Sequence, residues 1–220
     1  MKPIVVTVGP LVAPNAANIA ASQTPGAAGN LTLTAGAIAG TTPDTARRVL
    51  FTPAGAEATN STVWTVYGTD WNSQPQSETV NGVNNPTTVY TAYDYRTVTR
   101  IAVNKAQAGA VTVGTNGIAS SRPVFLDYWS LPDFSANVVV SGTINYTVQQ
   151  SLDNPNDPDN PVTYPNVTWF PFMDSNLISA TTSQQSVTGK SPVMVQLLVN
   201  SNTNPATARM TIVQYSTSKT

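Results

Sequence analysis

Apolar and polar residues alternate at period two in many short stretches of this chain, and nowhere do apolar residues recur at helical spacing over three turns. The pattern predicts an all-β protein. In the first half it predicts strands at 30–35, 47–52, 62–68, 76–80, 88–92, 96–103 and 110–114. Clusters of Gly, Pro, Asn and Asp separate them at intervals of roughly 8 to 14 residues, the spacing of a sandwich or barrel. Alternation is clearest at 143–150, where Ile144, Tyr146 and Val148 face one way and Asn145, Thr147 and Gln149 the other. The preceding run, 137–140, reaches it through Ser141-Gly142, a two-residue link suited to a tight hairpin. Further strands are expected at 166–170, 193–199 and 208–215.

Two segments break the pattern. Residues 10–28 are rich in alanine, proline and asparagine without an amphipathic stripe, so 1–28 reads as an extended N-terminal arm. Residues 151–165 carry Asp153, Asn154, Pro155, Asn156, Asp157, Pro158, Asp159, Asn160 and Pro161, a run that neither strand nor helix accommodates. The small polar stretch between Gly114 and Pro123 suggests a boundary. The expected architecture is two antiparallel β-sandwich or jelly-roll-like units, 29–118 and 119–220, preceded by the arm. Within the arm, Ile4, Val5, Val6 and Val8 form a short β-prone run with a proline on each side, which suits strand addition to a sheet edge on another subunit.

Composition narrows the function. Only 10% of the 220 residues are charged, against roughly 25% in an ordinary soluble domain. The surface is therefore solvated mainly by hydroxyls and amides, which suit close packing against other protein. Histidine and cysteine are both absent. That removes the side chain that titrates near neutrality, the Ser-His and Cys-His nucleophile pairs, and the imidazole and thiolate ligands of transition metals. Six arginines and four lysines are scattered, with a net charge of -1, which argues against a nucleic-acid surface. No apolar run is long enough for a membrane span, and the first residues do not form a secretory signal, so synthesis in a cytoplasm is expected. No cofactor is expected.

The residues that could carry chemistry each have a plainer reading. Asp153, Asp157 and Asp159 supply oxygens of the kind calcium takes. Counted from Asp153, however, the sixth position of an EF-hand loop falls on Pro158 instead of glycine, and a solvated turn accounts for the composition. Trp64, Trp71, Trp129 and Trp169 could form a carbohydrate-stacking platform, but alternation places Trp64 and Trp169 in strands, where packing is their usual role. Tyr128-Trp129, near the boundary, reads as an inter-domain or inter-subunit contact. Glu57 and Glu78 are the only glutamates, and most of the nine aspartates lie in turns, so a two-carboxylate hydrolase has little to draw on. Arg47-Arg48 is the only adjacent arginine pair and reads as one solvent-facing and one edge-facing residue, paired with Asp44 or a neighbour.

From Arg47 onward the chain reads RRVLFTPAGAEATNSTVWTVYGTDWNSQPQSETVNG, then TVYTAYDYRTVTRIAV and AGAVTVGT, and in the second half VVVSGTINYTVQQSLDNPNDP and VTWFP. Over roughly 22–215 this resembles virion structural proteins of tailed bacteriophages. The shared motifs are structural, and no site residue is implied by them. The resemblance implies a non-enzymatic role in the virion, foremost a head decoration or cement protein that binds the major capsid lattice, with a neck, collar or tail component as the alternative. It also implies self-association, with a trimer favoured. A carbohydrate-binding, adhesin-like module and a hydrolase are the readings from other classes.

Overall fold

The computed structural model of the chain describes residues 3–34, 45–127, 133–188, 191–203 and 205–214. It is all-β, with 56% of residues in strands and 3% helical. The strands of the first half are β1 (Ile4–Leu11), β2 (Asn15–Gln23), β3 (Gly29–Asn30), β4 (Thr45–Pro53), β5 (Val63–Thr69), β6 (Pro75–Asn81), β7 (Val89–Tyr90) and β8 (Thr97–Val103). Those of the second half are β9 (Val111–Ser121), β10 (Val124–Phe125), β11 (Phe134–Ser141), β12 (Ile144–Ser151), β13 (Phe170–Pro171), β14 (Gln184–Thr188), β15 (Met194–Asn202) and β16 (Ala206–Gln214). The chain divides into two compact units, Ala13–Ala119 and Met1–Val12 with Ser120–Thr220.

In the Ala13–Ala119 unit, one antiparallel sheet runs β3-β8-β5-β6, and a second set comprises β2, β9, β4 and β7, with β9 pairing β2 and β4. Alternation puts Trp64 and Val66 of β5, Val98, Ile101 and Val103 of β8, and Val49 and Phe51 of β4 into one buried cluster. Phe51 and Trp64 stack with ring centroids 4.8 Å apart. Their large apolar faces are the heaviest contribution to this core, since aromatics bury more area than any other side chain.

In the other unit, β1-β16-β11-β14 form a four-stranded antiparallel sheet. The remaining strands of the unit are centred on β15, which pairs antiparallel with β12 and β10, while β13 extends β12. Val6, Val8, Ala136, Val138, Ala208, Met210 and Ile212 are buried from the first sheet, and Ile144, Tyr146, Val148, Val195, Leu197 and Val199 from the second. Phe134 and Phe172 meet edge to face at 5.6 Å.

The Ser141-Gly142 link is not a hairpin. β11 pairs with β14 and β16, whereas β12 pairs with β13 and β15, so the chain changes sheets at Gly142. The partner chain segment makes the same change between β15 and β16: Val140 sits opposite Ala208 before the corner, and Ile144 opposite Asn202 after it. Residues 134–151 thus form one long antiparallel ribbon with 194–202 and 206–214, folded over at 142–143 on one side and beyond Asn202 on the other. Gly142 has φ +81°, and a Cβ there would lie 2.5 Å from the Pro205 carbonyl oxygen, so only glycine allows the two corners to nest.

Several segments depart from the sequence reading. Residues 4–11 are not a free arm: β1 pairs antiparallel with β16 of the same chain from Ile4↔Ile212 to Leu11↔Ala206. Two prolines flank the run, but its alternating valines match a sheet edge already present in the chain. Residues 15–23 are strand as well, paired irregularly with β9 and burying Ile19 and Ala20. The small polar stretch 114–121 continues β9 instead of forming a linker, and the two units divide within that strand. Residues 166–170 do not form a strand. A 3-10 turn at Tyr164–Asn166, starting beside Pro165, is followed by a two-residue bridge at Phe170–Pro171. Of 30–35, only Asn30 lies in a described strand.

Candidate functional site: an uncharged sheet face

The outward face of the β1-β16-β11-β14 sheet is assembled by register. Thr7, Arg209 and Val139 form one row, and Val5, Thr211, Asn137 and Gln185 the next. Val213, Ser135 and Val187 form the third. Among the described residues the face contains no acid and one cation. Val5, Val139 and Val187 are exposed on it. A sheet surface usually carries several charges toward water, and a face with a single one is suited to lying against another protein surface.

Arg209 is exceptional among the arginines. Arg47 is buried in β4, donating to the Asn116 carbonyl at 2.7 Å, and burial lowers its pKa to about 10. Arg48 faces the other way, 3.5 Å from Asp94 and over the Tyr90 ring, so the pair splits between core and surface, and the described partner is Asp94. Arg96 donates to Ser73 Oγ, Arg100 stacks 3.7 Å from the Tyr67 ring centre, and Arg122 also has an intrachain interaction. Among the described residues, Arg209 is the arginine without one, and it is exposed.

A second surface lies in the same unit, where β12 ends. Leu152, Phe170 and Met173 are 78%, 59% and 56% exposed and line a groove of about 210 Å³ with Gln150, Ser151, Ser191 and Pro192. The acidic loop begins there.

Within that loop the carboxylates hold backbone. Asp153 Oδ2 accepts from the Thr168 N–H at 2.6 Å, and Asp157 Oδ1 accepts from the N–H groups of Asp159 and Asn160 at 2.9 Å. Those two bonds hold the Asp157 carboxyl below the usual carboxylate range. Asp153, Asp157 and Asp159 are not brought together as ligands, and no group of three acidic residues among the described residues could hold a metal ion.

The other candidates are dispersed. Ile4 and Val5 are exposed on β1, whereas Val6 and Val8 face the core of their own unit and are not available as an interface. Tyr128 and Trp129 lie outside the described residues. Trp64 is fully buried against Phe51 and offers no stacking platform. Glu57 is fully buried, its two oxygens taken by Thr62 and Gly109, and Glu78 accepts from the N–H groups of Ala92 and Tyr93 at 2.7 and 2.9 Å. Both glutamates are committed to backbone geometry. Sequence reasoning missed the outward face because β1 was assigned to the sheet edge of another subunit and β14 was not read as a strand. β14 is Gln-Gln-Ser-Val-Thr, and its one apolar residue points outward. No helix among the described residues is long and apolar enough to cross a membrane. Compared with models of known protein families and with curated proteins, the chain matches none.

Proposed function

We propose that this chain is a non-enzymatic structural component of a tailed-bacteriophage virion, in the role of a decoration protein that binds the outer surface of the major capsid lattice and bridges its subunits. The observation that carries the reading is the outward face of the β1-β16-β11-β14 sheet, a surface of Val, Thr, Ser, Asn and Gln with a single arginine among the described residues. Such a face gains little from water and packs laterally at low desolvation cost, because neutral hydroxyls and amides are far cheaper to cover than ions. On a capsid, weak contacts of this kind are multiplied by symmetry. The resemblance of residues 22–215 to virion structural proteins supports the same class, and so does the occupation of both glutamates within the chain, Glu57 by the Thr62 hydroxyl and the Gly109 N–H and Glu78 by the N–H groups of Ala92 and Tyr93.

The test is to mix purified protein with particles lacking it, sediment them, and image the product by electron microscopy. Regularly repeated density over the outer capsid surface is expected. Absence of co-sedimentation overturns the reading, and density confined to neck or tail replaces decoration with the alternative position.

A further inference from the structure

The two surfaces described above complement each other. One presents a lone arginine, Arg209, between Thr7 and Val139 in its row; the other presents Asp157 and Asp159 in the loop that follows the exposed Leu152. Within one chain they cannot meet. Arg209 lies five residues before the end of β16 at Gln214, about 17 Å along the strand. Gln214 donates to Ser191, in the lining of the apolar groove, so the acidic loop stands at the far end of the ribbon from Arg209. It also emerges from β12, in the sheet opposite, and packed sheets lie about 10 Å apart.

We propose that a second copy of this chain supplies the partner of Arg209: its acidic loop and the adjoining Leu152–Phe170 surface dock on the outward face of the β1-β16-β11-β14 sheet. Charge complementarity selects this occupant. A twofold face-to-face pairing would bring two copies of Arg209 and no carboxylate into the contact, whereas the loop brings two carboxylates and no cation to it. The Asp157 carboxylate is already held ionised and oriented by two backbone N–H groups, so little ordering is needed when it meets a guanidinium. Because the two surfaces differ, the contact is heterologous, and repeating it generates a ring when the rotation closes. The contact involves this chain alone and is independent of any capsid.

The experiment is sedimentation of the purified full-length chain at tens of micromolar, with Arg209→Glu, the pair Asp157→Lys with Asp159→Lys, and all three changes in one chain. The wild type is expected to form a closed oligomer that weakens as salt is raised. Each reversal is expected to weaken association at least about tenfold, and the combined variant to recover it. Arg209 and Asp159 are exposed, so Arg209→Glu should match wild type in circular dichroism and melting. Asp157 is half-buried and its replacement also gives up two loop hydrogen bonds, so the Asp159→Lys single change, which keeps them, is run beside the pair and is expected to weaken association in the same direction. A monomeric wild type overturns the proposal, as does an oligomer that neither reversal weakens or that the combined variant fails to restore.

Discussion

The Thr62 hydroxyl donates to the Glu57 carboxylate at 2.6 Å, and the other Glu57 oxygen accepts from the Gly109 N–H at 2.9 Å. Glu57 is completely buried and Thr62 nearly so. One side chain therefore ties the 54–62 turn to the 106–110 loop at a point where the backbones touch: a Cβ on Gly55 would lie 2.4 Å from the Gly109 nitrogen. Two carboxylate oxygens serve one buried and one half-buried donor, which makes Glu57 a structural residue of the Ala13–Ala119 unit.

Replacing Glu57 with alanine should strip both donors of their acceptor. The buried Thr62 hydroxyl, left without its acceptor, costs about 1–3 kcal/mol and the half-buried Gly109 N–H less, so a loss on the order of 2–4 kcal/mol is expected in urea denaturation. Glu57→Gln keeps one carbonyl oxygen and should lose less. An alanine variant within about 0.5 kcal/mol of wild type, the range of ordinary surface changes, would remove Glu57 from this role.

At the sheet-crossing corner, Gly142→Ala places a side chain on a residue at φ +81° with the Pro205 carbonyl oxygen 2.5 Å from the new Cβ. A strained backbone of this kind costs on the order of 1–3 kcal/mol. The expected result is a lower melting temperature. If the variant melts with wild type, the two corners do not nest as described.

The fold class was legible because period-two alternation survives wherever one sheet face is covered: β4, β5, β8, β12, β15 and β16 all fall within a few residues of the runs that alternation marks. Pairing was not legible. Nothing local in Ser141-Gly142 distinguishes a hairpin from a corner, because the difference lies in which distant strand claims each side, β16 for Val140 and β15 for Ile144. β1 and β14 escaped for opposite reasons. β1 was read as a strand for another subunit because its partner is some 200 residues away, and β14 carries too little apolar signal to register. Arg209 looked like any scattered cation until register placed it alone on a neutral face.

Tyr146 is fully buried and donates to the Thr182 carbonyl at 2.9 Å; burial pushes its hydroxyl up to about 12. Tyr95 is shifted in the same direction, by burial first and then by Glu78 and Tyr93 nearby. As pH rises past about 10, an unfolded tyrosine releases its proton while folded Tyr146 retains it. The unfolded state then binds fewer protons, so the contribution is whole below about pH 10 and is lost as pH climbs toward 12. Denaturation midpoints measured between pH 9 and 11.5 should fall more steeply for wild type than for Tyr146→Phe. Equal slopes would mean that Tyr146 titrates like an exposed phenol.

The last expectation reverses what an N-terminal arm would predict. If residues 1–12 were a detachable clamp, removing them would leave both units folded. In the structure, however, β1 is an edge strand of its own sheet, with Val6, Val8 and Leu11 each at most 1% exposed. Burial of a Val or Leu side chain is worth about 1.5–3 kcal/mol, and deletion would also uncover the inner face of β16, where Ala208, Met210 and Ile212 lie. The truncated chain should therefore lose several kcal/mol from the unit that holds Ser120–Thr220, while Ala13–Ala119, whose core contains none of these residues, keeps its stability. Amide hydrogen exchange separates the two outcomes, since the β16 and β11 amides should lose protection while those of β5 and β8 hold theirs. Unchanged protection in β16 would return residues 1–12 to the status of an arm.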